Sequence, residues 1–116
     1  MAMKKGGEEV YPTPWNGYYA TRSGKIWSAK TNSFIEGKID QNGYRELCIM
    51  VDGQRKYVRV HIMIARTFLK KPTGKGSDLE VNHKDKNKLN NKVSNLEWAT
   101  PAENSQHRSN TDANGK

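Results

Sequence analysis

The sequence predicts a small α+β fold: an antiparallel sheet with one helix, followed by a strand, loop, strand and helix that form a finger. Three observations predict it. Tyr44 to Val51 and Arg55 to Val60 read as two strands joined at Asp52-Gly53, a dipeptide that favours the tight turns matching strand twist. Ile62, Ala65, Phe68 and Leu69 then recur at helical spacing, and Lys70-Lys71-Pro72 adds favourable charge at the C-terminal end and a stop. Finally, Leu79-Glu80-Val81 and the segment NLEWAT are two short strands separated by a Lys/Asn-rich loop. They lead into Thr100-Pro101-Ala102-Glu103, where Thr100 can cap a helix, Pro101 fits its first position and Glu103 completes a capping box.

Taken in order, residues 1–10 are small and charged and read as a flexible arm. Residues 11–72 form the sheet-and-helix module. Within it Tyr18 to Thr21 and Lys25 to Ser28 flank Ser23-Gly24, a first hairpin. In the return strand of the second hairpin, Lys56, Val58 and Val60 share the face that seats the core. Arg55, Tyr57 and Arg59 share the other and offer an Arg-Tyr-Arg row to a polyanion backbone. Pro72 to Ser77 is a linker, residues 79–110 are the finger, and 111–116 are a tail. A chain of 116 residues is one unit by length, with a modest core.

Twenty Lys and Arg against twelve Asp and Glu leave a net charge of +8, spread from Lys4 to Lys116. An excess distributed this way suits a nucleic-acid track better than a membrane anchor. Cys48 is the only cysteine, so there is no disulfide and no Cys-rich knuckle for structural zinc; lying in the apolar run Leu47 to Val51, it reads as core. No apolar run approaches a membrane span and the first residues lack the apolar stretch of a signal peptide, so the cytosol of the host cell is the expected location.

The most informative pattern is Asn82-His83, Asn95 twelve residues on and Asn104 nine after that. His83 ends an apolar strand and begins a polar loop, so its ring can face a groove, and an imidazole changes charge near enough to neutrality to take a proton from water. Asn104 lies in the anchored first turn of the last helix, where an amide oxygen is a hard ligand for magnesium or manganese and the helix start favours a phosphate. His107 and Arg108 lie three and four residues further along that face, placed to touch the phosphate or the leaving group. Asn87, Asn90 and Asn91 are assigned to satisfying the loop backbone, and Trp98 to the core.

From Leu79 to His107 the order of Asn-His, the NKLNN loop, NLEW and the EN pair resembles the HNH endonucleases. The N-terminal segments GYYATRSGKIWS, GYRELCIMV and VRVHIMIARTFL are similar, more loosely, to the sheet module that precedes the finger in phage- and intron-encoded members. The resemblance implies a ββα-metal finger holding one divalent cation, Mg2+ or Mn2+, against a scissile phosphate of double-stranded DNA. It implies His83 as the general base, Asn95 as an architectural residue bonding across the loop that carries His83, and Asn104 with Asn82 as metal ligands. Relatives often have Asp where this chain has Asn82, so here the phosphate must supply ligand charge. His61 matches a VH-type motif and is read as structural. Arg22, Lys25, Arg45, Arg55, Lys56, Arg59 and Arg108 are the expected DNA contacts. One His83-centred site predicts a monomer that nicks, although a dimer would cut both strands, and the short stretch of chain after the finger predicts weak sequence preference. The other reading is a non-catalytic DNA-binding protein that keeps the finger as a phosphate clamp.

Overall fold

The computed structural model describes residues 3–71 and 79–100. In chain order its elements are β1 (Met3–Lys5), β2 (Glu8–Pro12), β3 (Tyr18–Ala20), β4 (Ile26–Ser28), β5 (Ser33–Ile35), β6 (Lys38–Ile39), β7 (Arg45–Val51), β8 (Gln54–Arg59), α1 (Val60–Phe68), β9 (Glu80–His83) and β10 (Leu96–Ala99). A single 3-10 turn at Val93–Asn95 precedes β10. All strand pairs are antiparallel: a five-stranded sheet β1-β2-β3-β4-β5, a three-stranded sheet β6-β7-β8 and the ribbon β9-β10. This is the small, mostly antiparallel α+β fold expected. The helix expected from Thr100 onward lies outside the described residues, as do the linker and the tail.

The expected flexible arm is instead a paired strand from Met3 onward. Gly6 and Gly7, both at positive φ, turn the chain so that Met3 pairs with Val10, and Val10 is buried in the sheet. Its charges are matched by tertiary partners, which composition does not reveal. Glu8 accepts from Ser23 Oγ and pairs with Lys25 Nζ at 2.9 Å, and Lys5 lies over the Trp27 ring.

The hairpin β7-β8 turns at the predicted Asp52-Gly53. Asp52 and Gly53 both take positive φ, the backbone that a two-residue turn needs to match strand twist. Leu47 and Ile49 point into the core. Cys48, expected there too, alternates outward opposite Tyr57 and is exposed, because period two decides the face even where every residue of a run is apolar. Met50, exposed on that same outer face, sends its N–H to the Tyr18 hydroxyl at 2.8 Å, tying this hairpin to the first sheet.

Helix α1 follows β8 without a break; Val60, expected as the last strand residue, is its first helical one. Its buried residues are Val60, His61, Met63, Ile64 and Ala65, whereas Ile62, Phe68 and Leu69 are half-buried against the core. The stripe is rotated and widened relative to the predicted one because the helix packs against strands of both the sheet module and the finger, β3, β7, β8, β9 and β10. Fully burying Met63 and Ile64 contributes on the order of 2 kcal/mol each. The finger thus rests on the same core as the sheet module.

Candidate active site

The ribbon β9-β10 brings Val81 and His83 to its buried face and sets Asn82 on the alternate face, beside Glu97. His83 pairs with Leu96 at the ribbon's end, and the chain then enters the polar loop. Asn95 closes that loop with three bonds: its Oδ1 accepts from the Asp85 N–H at 3.1 Å, and its Nδ2 donates to Asp85 Oδ1 at 2.9 Å and to the Asn90 carbonyl at 2.8 Å. The Lys84 N–H adds a bond to the Asn95 carbonyl. Asp85 also accepts from the Asn90 amide and the Asn87 N–H, and these hydrogen bonds hold its carboxyl below the ordinary carboxylate value. Asp85 is therefore occupied with shaping the loop.

The His83 ring is 7 % exposed, and its Nε2 lies 2.8 Å from Oδ1 of Asn91, itself buried. His61, from the first turn of α1, meets it at 4.8 Å between ring centroids and stacks on Tyr44 at 4.9 Å. Arg59 and Lys88 lie over the Tyr44 ring, and Arg59 Nε donates to Asp40 Oδ2 at 2.9 Å. Burial pushes His61 down to about 3, helped by His83 and Arg59 and opposed by Asp40, so His61 is neutral at physiological pH. Partial burial disfavours the Asp40 charge, yet the Tyr44 and Asn42 N–H groups and Arg59 hold its carboxyl below the usual range. The result is a neutral His61 ring stacked on Tyr44 and tilted against His83, with the cations Arg59 and Lys88 over the outer ring.

Residues 58–106 match the family model described as HNH endonuclease. The chain carries an HNH endonuclease domain. It is 36 % identical over 92 residues to an uncharacterized HNH endonuclease, L245, of Acanthamoeba polyphaga mimivirus, covering 79 % of this chain and 27 % of that protein. It is 32 % identical over 83 residues to the DNA endonuclease I-HmuI of Bacillus phage SP01, covering 72 % of this chain and 46 % of the relative. Against H-N-H endonuclease F-TflII of Escherichia phage T5 the identity is 33 %, over 68 % of this chain and 40 % of the relative. The chain thus spans less than half the length of these relatives. A solved structure, described as DNA binding and cleavage by the HNH homing endonuclease I-HmuI, superposes with a TM-score of 0.70 at 27 % identity, over 99 % of this chain and 59 % of that one.

Within the HNH domain the structure gathers His83, Asn91, Asn95 and Asp85 around one loop and sets Asn82 at its edge. An amide oxygen at Asn82 is a hard donor that fits Mg2+ or Mn2+, and among the described residues no group of three or more His, Cys, Asp or Glu side chains could hold a metal alone. Asn104, His107 and Arg108 lie outside the described residues. Of the expected DNA contacts among the described residues, only Arg59 reaches the ring cluster, where Lys88 joins it over Tyr44. Arg22 covers the Tyr11 and Phe68 rings while its carbonyl accepts from the Val93 N–H. Lys25 pairs with Glu8 and Arg45 donates to the Glu36 carbonyl, while Arg55 and Lys56 are exposed on β8. Trp98 is half-buried with its Nε1 donating to the Leu69 carbonyl, a packing position.

Two members of the site escape sequence reasoning. Asn91 is assigned by sequence to the loop backbone, yet its side chain meets His83. Tyr44 reads only as the start of a strand, yet it carries the stack. The adjacent amides Asn90-Asn91 were the available signal, since one can serve the turn while its neighbour points away.

Proposed function

We propose that this chain is a divalent-metal-dependent endonuclease acting on double-stranded DNA in the host cytosol, as a monomer that nicks one strand per encounter. The observation that carries the reading is the buried His83 ring, held at the end of β9 in an HNH loop with Nε2 engaged by Asn91. His83 Nδ1 takes a proton from the water that attacks phosphorus, and the stacked His61 and Tyr44 fix the plane of its ring. Asn82 and Asn104 would hold the ion, whose charge when bound stabilises the pentacovalent phosphorus and the departing oxygen. Arg59 and Lys88 line the approach to His83 and draw the backbone in. Arg55 and Lys56 extend the basic surface along β8. The names of the phage relatives, one of them a DNA endonuclease, support DNA as substrate.

The test is His83→Ala on supercoiled plasmid with magnesium, manganese and a chelator. Cleavage should fall by at least about 100-fold, the usual range for losing a general base, with DNA affinity preserved. Open circle should precede linear product in the wild type. Retention of more than about a tenth of the rate refutes the base assignment, and undiminished cleavage in chelator refutes the metal.

A further inference from the structure

We infer that Asn91 is a positioning residue that fixes the tautomer of His83, and that the Arg22-to-Gly24 turn of the first sheet fixes Asn91. The inference rests on His83 being the proton acceptor proposed above. An amide oxygen can only accept, so the 2.8 Å contact from Asn91 Oδ1 to Nε2 places the ring proton on Nε2. Nδ1 then keeps its lone pair. The alternative neutral tautomer carries its proton on Nδ1 and cannot take another there. His61 and Tyr44 meet the ring through their own rings and hold its plane, whereas the amide decides which nitrogen is protonated.

Asn91 is in turn held by backbone. Gly24 has φ +97°, and a Cβ built on it would lie 2.6 Å from both the carbonyl carbon and the carbonyl oxygen of Asn91. Only glycine allows that approach. Two residues further along the loop, the Val93 N–H donates to the Arg22 carbonyl at 3.0 Å. The turn itself is closed by Gly24 N–H on the Thr21 carbonyl and Lys25 N–H on Thr21 Oγ1, and Thr21 is 1 % exposed. A rigid turn of the sheet module therefore sets the loop that sets the imidazole.

The test uses the full chain with 15N-labelled histidine, whose three side chains are resolved by long-range proton–nitrogen correlation. Loss of signals in His83→Ala identifies the ring of interest. The wild type should show the Nε2-protonated form. Asn91→Leu should show a mixture, and Asn91→Asp, which keeps an accepting oxygen, should retain the wild-type form. Single-turnover cleavage should fall about 10- to 100-fold in Asn91→Leu, as for partners that orient a reacting ligand, at unchanged DNA affinity, and recover in Asn91→Asp. Gly24→Ala should move both readouts in the direction of Asn91→Leu. An unaltered tautomer in Asn91→Leu overturns the inference, as does an unaltered rate there when His83→Ala is inactive, and so does a lost tautomer in Asn91→Asp should the leucine variant not fold. A shifted tautomer in Asn91→Leu together with active His83→Ala upholds the positioning contact and overturns the base assignment instead.

Discussion

His61 should make the fold acid-sensitive well above the range where carboxylates titrate. Its ordinary value of 6.5 is pushed down to about 3, first by burial and then by His83 and Arg59. The unfolded chain therefore binds one more proton than the folded chain between those two values, and stability must rise with pH there. The contribution is fully present above about pH 6.5 and drains away as pH falls. From about pH 7 to about pH 5 the linkage integral gives a loss of about 2 kcal/mol, nearly the same whether the folded value is 3 or 4. With the side chain only 5 % exposed, water screens little of this. A domain of this size has roughly 5–15 kcal/mol to lose. Asp40, Asp85 and Glu8 are also held below their ordinary values, but the unfolded carboxylates titrate near pH 4, so they act lower in the scale and in the same direction. Urea unfolding followed by tryptophan fluorescence across this range measures the slope. His61→Phe, which keeps a ring against Tyr44 and has nothing to titrate, should lose it. Parallel wild-type and mutant curves between the two pH values would refute the assignment, whatever their vertical offset.

Removing Arg55 should flatten the logarithmic salt dependence of DNA binding by about one unit, as for a single phosphate contact. Arg59→Ala should do the same and also lower stability, because it strips Asp40 and Tyr44 of their partner; filter binding across a salt series together with a melt separates the two effects. Gly37→Ala should destabilise by more than about 1 kcal/mol in urea, since the residue sits at φ +67° and a Cβ there overlaps the Glu46 carbonyl. Cys48 should react with a maleimide in the folded state at the rate of an accessible thiol. Labelling that waits for unfolding would mean that β7 is shifted by one residue.

What was legible in the sequence was local. Asp52-Gly53 and the alternation around it announce a hairpin because turn chemistry and side-chain period agree. The ribbon of the finger is equally plain, since the amides around His83 lie within one loop and its flanking strands. Asn95 is found bonding across that loop through neighbours within ten residues. The misses were tertiary. Residues 3–10 look like an arm until Ser23, Lys25 and Trp27 supply partners for their charges. Cys48 looks buried because an all-apolar run hides which residues alternate inward. Asn91 is indistinguishable, as a letter in a polar loop, from the amides that serve the backbone. The ring cluster of Tyr44, His61 and His83 joins residues far apart in the chain, and no periodicity encodes it.

Helix α1 also decides how little of this protein can be moved elsewhere. The family match begins at residue 58, inside β8, and a fragment cut there would sever that strand and strip Val60, Met63 and Ile64 of Leu47, Ile49 and Tyr18. It would also discard Gly24, against which the Asn91 backbone packs. The finger is therefore no interchangeable cassette. The smallest transplantable unit begins upstream of the first hairpin, and any recombination that joins this domain to a new partner has to break the chain outside these sheets.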